Sequence, residues 1–200
     1  MPRKNLIRTS DYPYHITIRS NNREWFELEP DVMWQICLSA LAKANELCPA
    51  NIEAFVLMAN HYHLLLWTPN SDIDRFMYEL NSSISKAVRK RTGRINRIFG
   101  DRYKWTLVDQ DSYYNCVLRY IYQNPIHANT VERCEQYAYS SLTYLVQDFD
   151  LGFSLFNAQK SLQLFNSGYF EKGYEDRDKI KKALGRAKFS MPKNSARRLI

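Results

Sequence analysis

The segment that most constrains the fold is a pair of histidines at the start of an apolar run. His61 and His63 flank one tyrosine and are followed by Leu-Leu-Leu-Trp. Such a run is typical of a buried β-strand, and Asn60 separates it from a second apolar run at residues 52–59. The two runs therefore predict a β-hairpin. Because side chains alternate between the faces of a strand, both imidazoles are expected on one face, roughly 6–7 Å apart.

The other apolar patterns predict the element order β-α-β-β-α-β-α. Two further strands are predicted at Tyr14–Arg19 and Trp105–Val108, and a first helix at Pro30–Leu47. A second helix is predicted from a cap at Ser71 or Asp72 to about Arg91, and Gly93 ends it. A third helix is predicted from Asp111 or Ser112 to Asn124, where Pro125 stops it. This order predicts an α+β fold with an antiparallel sheet and helices packed against it.

The 200 residues suffice for one domain with an extension. The pattern loosens beyond about residue 150, and we predict a domain at 1–148 and a C-terminal extension at 149–200. Apolar patches at 151–156 and 162–170 predict that part of the extension packs on the domain. From Lys179 onward there are eight Lys or Arg and no acidic residue, which predicts a mobile basic tail.

The composition argues against a membrane or secreted protein. No apolar stretch approaches the roughly 18–20 residues of a membrane span, and no signal peptide opens the sequence. The four cysteines are scattered without a CxxC pair, as is usual for free thiols in a reducing compartment. These features predict a cytoplasmic protein with no membrane partner.

The histidine pair leaves two interpretations open. Both residues could be ordinary hydrogen-bonded strand histidines, or they could share one divalent metal ion, which needs a third ligand. Asn124 is a candidate, because it lies one helical turn after Tyr120 and on the same face. A tyrosine beside a metal suits nucleophilic attack on a phosphodiester. Tyr120 is also one of 14 tyrosines and could simply pack in the core.

A basic segment at residues 86–104 points to a polyanionic partner. It carries eight Lys or Arg against one Asp, in a chain of formal net charge +7. Such runs are often solvated faces, but Phe99, Tyr103 and Trp105 lie among or beside them, which favours a groove for a phosphate backbone with stacked bases. The candidate DNA-binding residues are Lys86, Arg89, Lys90, Arg94, Arg97, Arg102 and Lys104.

Five stretches of the sequence resemble a known family. YHITIRSNNREWF, AFVLMANHYHLLLWTP, IFGDRYKWTLVD, YNCVLRYIYQNPIHANTV and YAYSSLTYL occur in the order seen in REP-associated members of the single-tyrosine HUH transposases. The resemblance covers roughly residues 1–146. It implies a ferredoxin-like (RRM-like) fold with the histidine pair on a central strand. It also implies a Mg²⁺- or Mn²⁺-dependent endonuclease and strand transferase that acts on single-stranded DNA beside hairpins of repetitive palindromic DNA.

The resemblance also implies roles for individual residues. His61 and His63 correspond to the metal-binding pair, and Asn124 corresponds to the residue that completes the metal site. Tyr120 corresponds to the nucleophile that becomes linked to the 5′ phosphate and leaves a free 3′ hydroxyl.

The sequence departs from the family pattern at the end of this helix. His127 and Asn129 replace an arginine and a glycine, which puts DNA contacts there in doubt, although asparagine tolerates a left-handed backbone. An alternative function is a domesticated DNA-binding protein without turnover. An RNA-binding protein is disfavoured because no RNP-type motif occurs in the predicted strands. The choice between monomer and homodimer stays open.

Overall fold

The computed structural model describes residues 5–147, 155–157 and 159–171. Its first six strands and α-helices are strand β1 (Tyr14–Arg19), helix α1 (Pro30–Leu47), strands β2 (Asn51–Met58) and β3 (His61–Trp67), helix α2 (Ile73–Thr92) and strand β4 (Lys104–Leu107). Helices α3 (Asp111–Tyr122), α4 (Asn124–His127), α5 (Ser141–Val146) and α6 (Gln159–Asn166) follow. The predicted element order and the α+β class are confirmed.

The four strands form one antiparallel sheet in the order β2-β3-β1-β4. This βαββαβ arrangement is the ferredoxin-like fold that the resemblance implied. Strand β3 is an inner strand, so the histidine pair lies on a central strand. Its register with β1 places Thr17 opposite His63 and Arg19 opposite His61.

The two faces of the sheet have separate apolar cores, because side chains alternate along each strand. Tyr62, Leu64 and Leu66 of β3 face the core shared with α1 and α2. Leu65 faces the other core, shared with α3. His61 and His63 have the same parity as Leu65, so they lie on the α3 side.

Helix α3 ends earlier than the sequence predicts. It stops at Tyr122, and Pro125 does not terminate helical structure but sits in the first turn of α4. Proline is tolerated there because the first helical N–H groups have no acceptor within the helix. Gly93 ends α2 with a φ of 71°, as predicted. Asn129 takes the left-handed backbone expected of it, with a φ of 55°.

Part of the predicted extension packs on the preceding residues. Phe156 forms a β-bridge with Ile52 and joins the α1–α2 core, while Leu164 and Phe170 join the α3 core. The division into 1–148 and 149–200 stays a prediction, and the basic run from Lys179 lies outside the described residues. Within the described ranges, no helix is both long and apolar enough to cross a membrane.

Candidate active site

A cleft of about 560 Å³ opens on the α3 side of the sheet, where β3 begins. The four residues predicted for chemistry line it together: His61, His63, Tyr120 and Asn124. Strand β3 supplies the histidines, and the end of α3 with the start of α4 supplies the other two. The packing of α3 across the sheet therefore joins two sequence motifs that lie about sixty residues apart.

The aromatic rings of the site are in mutual contact. The imidazole centroids of His61 and His63 are 5.2 Å apart, and the Tyr120 ring lies 5.4 Å from that of His63. The Asn124 side chain donates from Nδ2 to the backbone oxygen of Tyr120 at 2.6 Å. This bond confirms that the two residues are one turn apart, and it leaves Asn124 Oδ1 as the side-chain atom that could bind a metal.

Two further residues touch the histidine pair and were missed from the sequence. His15 of β1 is fully buried, and its Nε2 lies 3.4 Å from Nδ1 of His63. Asn60 contacts Nδ1 of His61 through Oδ1 at 2.8 Å. The sequence predicts Asn60 only as a turn residue. Finding His15 needs the register of β1 against β3, which a single sequence does not reveal.

The electrostatics of the cleft favour neutral imidazoles. Burial lowers the pKa of His15 to about 3. Burial, together with the nearby charge of Arg19, lowers the pKa of His61 to about 4. Both rings are therefore neutral near pH 7, and a neutral imidazole is the form that binds a metal.

The donor set fits a divalent ion of the kind implied by the family. Two imidazole nitrogens and one amide oxygen are tolerated better by Mn²⁺ than by Mg²⁺, and either ion fits if water and phosphate oxygens fill the other positions. In the part of the chain that the structure describes, no group of three or more His, Cys, Asp or Glu could hold a metal. A third protein ligand would thus come from another kind of residue, and Asn124 is the amide side chain in the cleft that the sequence predicts for this place.

The basic segment divides between the two sides of the sheet. Arg102 and Lys104 are exposed and line the cleft, where they join Arg19 and Arg23, which the sequence did not single out. Lys86 and Lys90 instead line a groove between α1 and α2, on the opposite side. Lys86 and Lys90 lie on α2, which packs on one face of the sheet. The loop that follows α2 crosses to the other face and brings Arg102 and Lys104 there.

Three other candidate DNA-binding residues lie apart from the cleft. Arg94 is largely buried and pairs with Glu24 at 2.7 Å and with Glu27 at 3.4 Å, so it holds two loops together. Arg89 and Arg97 are exposed on the surface around the end of α2. The spacing of charges in the sequence could not separate these roles.

Comparison with known proteins identifies the family. A family model described as "Transposase IS200 like" matches residues 8–124. The chain belongs to this family of transposases. No curated protein matches this transposase.

Two solved structures illustrate what this transposase is similar to. A REP-associated tyrosine transposase, solved bound to a REP hairpin, has a TM-score of 0.63 and 20% identity, and the match covers 78% of this chain and 90% of that chain. This similarity confirms the fold. A putative transposase from Deinococcus radiodurans gives a TM-score of 0.42 and 16% identity over 64% of this chain and 98% of that chain, too low to support any argument.

Proposed function

We propose that this transposase is a metal-dependent endonuclease and strand transferase for single-stranded DNA that forms a 5′-phosphotyrosine at Tyr120. The observation that carries the proposal is the convergence of His61, His63, Tyr120 and Asn124 in one cleft. A tyrosine that served only the core would not need two imidazoles and a polar amide around it. In a DNA-processing family, this set fits attack on a phosphodiester.

The proposed reaction exchanges one phosphate ester for another. Tyr120 Oη gives up its proton and attacks the phosphorus, the bond to the 3′ oxygen breaks, and the released 3′ oxygen takes up a proton. A bound Mg²⁺ or Mn²⁺ would polarise the phosphate and neutralise the charge that develops on it. Attack by another 3′ hydroxyl on the phosphotyrosine would rejoin strands and regenerate Tyr120. The ester bond is conserved throughout, so no ATP is needed.

The proposed substrate is single-stranded DNA beside a hairpin of repetitive palindromic DNA. The structural neighbour was solved on a REP hairpin. Four cations, Arg19, Arg23, Arg102 and Lys104, line the cleft and suit the phosphates around a cut site. Tyr120 and the histidines meet within one chain, which supports a site assembled from a single subunit.

The proposal is tested with a labelled single-stranded hairpin oligonucleotide and Mn²⁺ or Mg²⁺. Wild type is expected to cleave and to form a covalent adduct. Tyr120→Phe should bind with nearly unchanged affinity and form no adduct, because only the nucleophilic oxygen is lost. Tyr78→Phe, at a tyrosine 68% exposed on α2, is the matched control and should behave as wild type.

Two outcomes would contradict the proposal. Adduct formation by Tyr120→Phe would show that another residue is the nucleophile. Tight hairpin binding with no cleavage under either metal would instead favour the alternative, a domesticated DNA-binding protein without turnover.

A further inference from the structure

Both histidines of the proposed metal site have their Nδ1 atoms facing a polar neighbour. Nδ1 of His61 faces Asn60, and Nδ1 of His63 faces His15. We propose that Asn60 and His15 are positioning residues that fix the tautomers of the pair, so that each histidine presents an unprotonated Nε2 to the metal. This inference rests on the proposed function and deepens it.

The orientation of Asn60 is determined by a second hydrogen bond. Its Nδ2 donates to the backbone oxygen of Arg23 at 2.7 Å, so Oδ1 is the atom that faces His61. An amide oxygen can only accept a hydrogen bond, and therefore Nδ1 of His61 carries the proton. In a neutral imidazole the lone pair then lies on Nε2, the remaining ring nitrogen. The loop at Arg23 thus sets the tautomer of His61 through Asn60.

The contact between His15 and His63 joins two ring nitrogens edge to edge. The rings are inclined by 30° and their centroids are 5.7 Å apart, too far for face-to-face stacking, while the nitrogens are 3.4 Å apart. One proton is shared across this contact. If His63 donates it from Nδ1, its Nε2 carries the lone pair that can bind a metal. If His15 donates it, Nε2 of His63 is protonated and cannot bind one.

The burial of His15 supports a specific role for it. The side chain is fully buried, and within the described ranges its Nδ1 has no hydrogen-bond partner. An apolar residue there could pack against the Tyr120 ring, which lies 5.5 Å from the His15 centroid, without leaving a polar atom unsatisfied. The compensating interaction is the bond to His63. The proposal requires Nε2 of His15 to accept from Nδ1 of His63, so the neutral His15 ring would carry its own proton on Nδ1.

Metal affinity tests the proposal independently of catalysis. Loss of such an outer partner typically lowers metal affinity 10- to 100-fold. Isothermal titration of wild type with Mn²⁺ alone is compared with His15→Leu and Asn60→Ala, each expected to bind at least about 10-fold more weakly. His15→Gln keeps an oxygen acceptor near Nδ1 of His63 and should recover most of the lost affinity. Asn60→Asp keeps the acceptor near Nδ1 of His61 but loses the donor to the backbone oxygen of Arg23, so it should recover only part of it. Thermal unfolding monitored by circular dichroism shows that each variant is folded.

The tautomers themselves are read from ¹H–¹⁵N spectra of metal-free wild type, so this part of the test does not depend on a variant that folds. Both His61 and His63 are expected to be protonated at Nδ1 and not at Nε2. Protonation of His63 at Nε2, or wild-type Mn²⁺ affinity in His15→Leu, would overturn the role of His15. Wild-type Mn²⁺ affinity in Asn60→Ala would overturn that of Asn60.

Two results separate failure of this inference from failure of the proposed function. If wild type binds Mn²⁺ and forms the Tyr120 adduct while His15→Leu binds Mn²⁺ normally, only the inference fails. If wild type binds no Mn²⁺, the inference fails together with the metal-dependent mechanism.

Discussion

The three residues of the His-Tyr-His motif act on opposite sides of the sheet. His61 and His63 face α3 and the cleft, whereas Tyr62 lies in the core beneath α2. Its hydroxyl donates to Asn81 Oδ1 at 2.7 Å, and Asn81 in turn donates to the backbone of Met77. The middle residue is thus a packing residue that holds the strand in place between the two histidines that line the cleft.

This separation of roles predicts the effect of Tyr62→Phe. Removing the hydroxyl leaves Asn81 Oδ1 without its donor and should lower the free energy of unfolding by about 1 kcal/mol. Mn²⁺ affinity and hairpin cleavage should stay at the wild-type level. Urea denaturation and Mn²⁺ titration check the two parts, with Tyr78→Phe as the exposed control. A loss of Mn²⁺ affinity in a folded Tyr62→Phe protein would contradict the division of roles.

Local geometry made some site residues predictable. Helix geometry places Tyr120 and Asn124 on one face, and strand geometry places His61 and His63 on one face. The sequence was therefore sufficient to predict that each pair lies together. His15 lies 48 positions before His63, and its contact depends on strand pairing and register. Neither the strand propensity of these residues nor their spacing in the sequence determines which strands pair and in which register.

At the scale of elements, the helix that carries Tyr120 is braced by the segment 159–171. The Arg119 guanidinium lies 4.4 Å from the centre of the Tyr169 ring, and Gln123 donates to the backbone oxygen of Phe170 at 2.7 Å. The Tyr122 hydroxyl is hydrogen-bonded to Ser161. These contacts cover the side of α3 away from the cleft. They fix the helix against the sheet and thereby fix Tyr120 against the histidines.

The brace predicts a large effect for Phe170→Ala. Phe170 is 2% exposed, and its ring centre lies 5.2 Å from that of Tyr122. Its truncation leaves a cavity and should cost about 3 kcal/mol of unfolding free energy. Ile95→Ala, at a residue 91% exposed, is the control and should change stability by less than about 0.5 kcal/mol. Equal stability of the two variants in urea denaturation would show that the segment does not brace α3.

The sequence predicted most elements because their apolar periods are local. It predicted Asn51–Met58 and His61–Trp67 within a residue or so, since each strand is a continuous apolar run with a turn between. The sequence predicts that the apolar patch at 162–170 packs on the domain, but it does not identify the element on which the patch packs. That element is α3, and such an assignment depends on tertiary packing.

At the scale of the whole molecule, four of the candidate DNA-binding residues divide between two surfaces. Arg102 and Lys104 border the cleft, while Lys86 and Lys90 lie in the groove between α1 and α2. The sheet lies between them. We therefore propose that the first pair contacts phosphates next to the cut and that the second contacts more distant parts of a hairpin.

Affinity measurements over a range of salt concentrations distinguish the two surfaces. Arg102→Ala/Lys104→Ala should weaken binding to a short single strand and reduce the salt dependence by roughly 0.7 per lost phosphate contact. Lys86→Ala/Lys90→Ala should leave that binding unchanged and weaken only binding to a full hairpin. If the second variant binds both DNAs as wild type does, the α1–α2 groove is not a DNA surface.

The most direct test of the account is to locate the covalent bond between protein and DNA. The adduct formed with a hairpin oligonucleotide and Mn²⁺ is digested with protease and nuclease, and the modified peptide is sequenced by mass spectrometry. We expect one nucleotide 5′ phosphate on the peptide that contains Tyr120, with the modification on that residue. Attachment at Tyr113, Tyr114 or Tyr122, or cleavage without any adduct, would contradict the assignment of Tyr120 as the nucleophile.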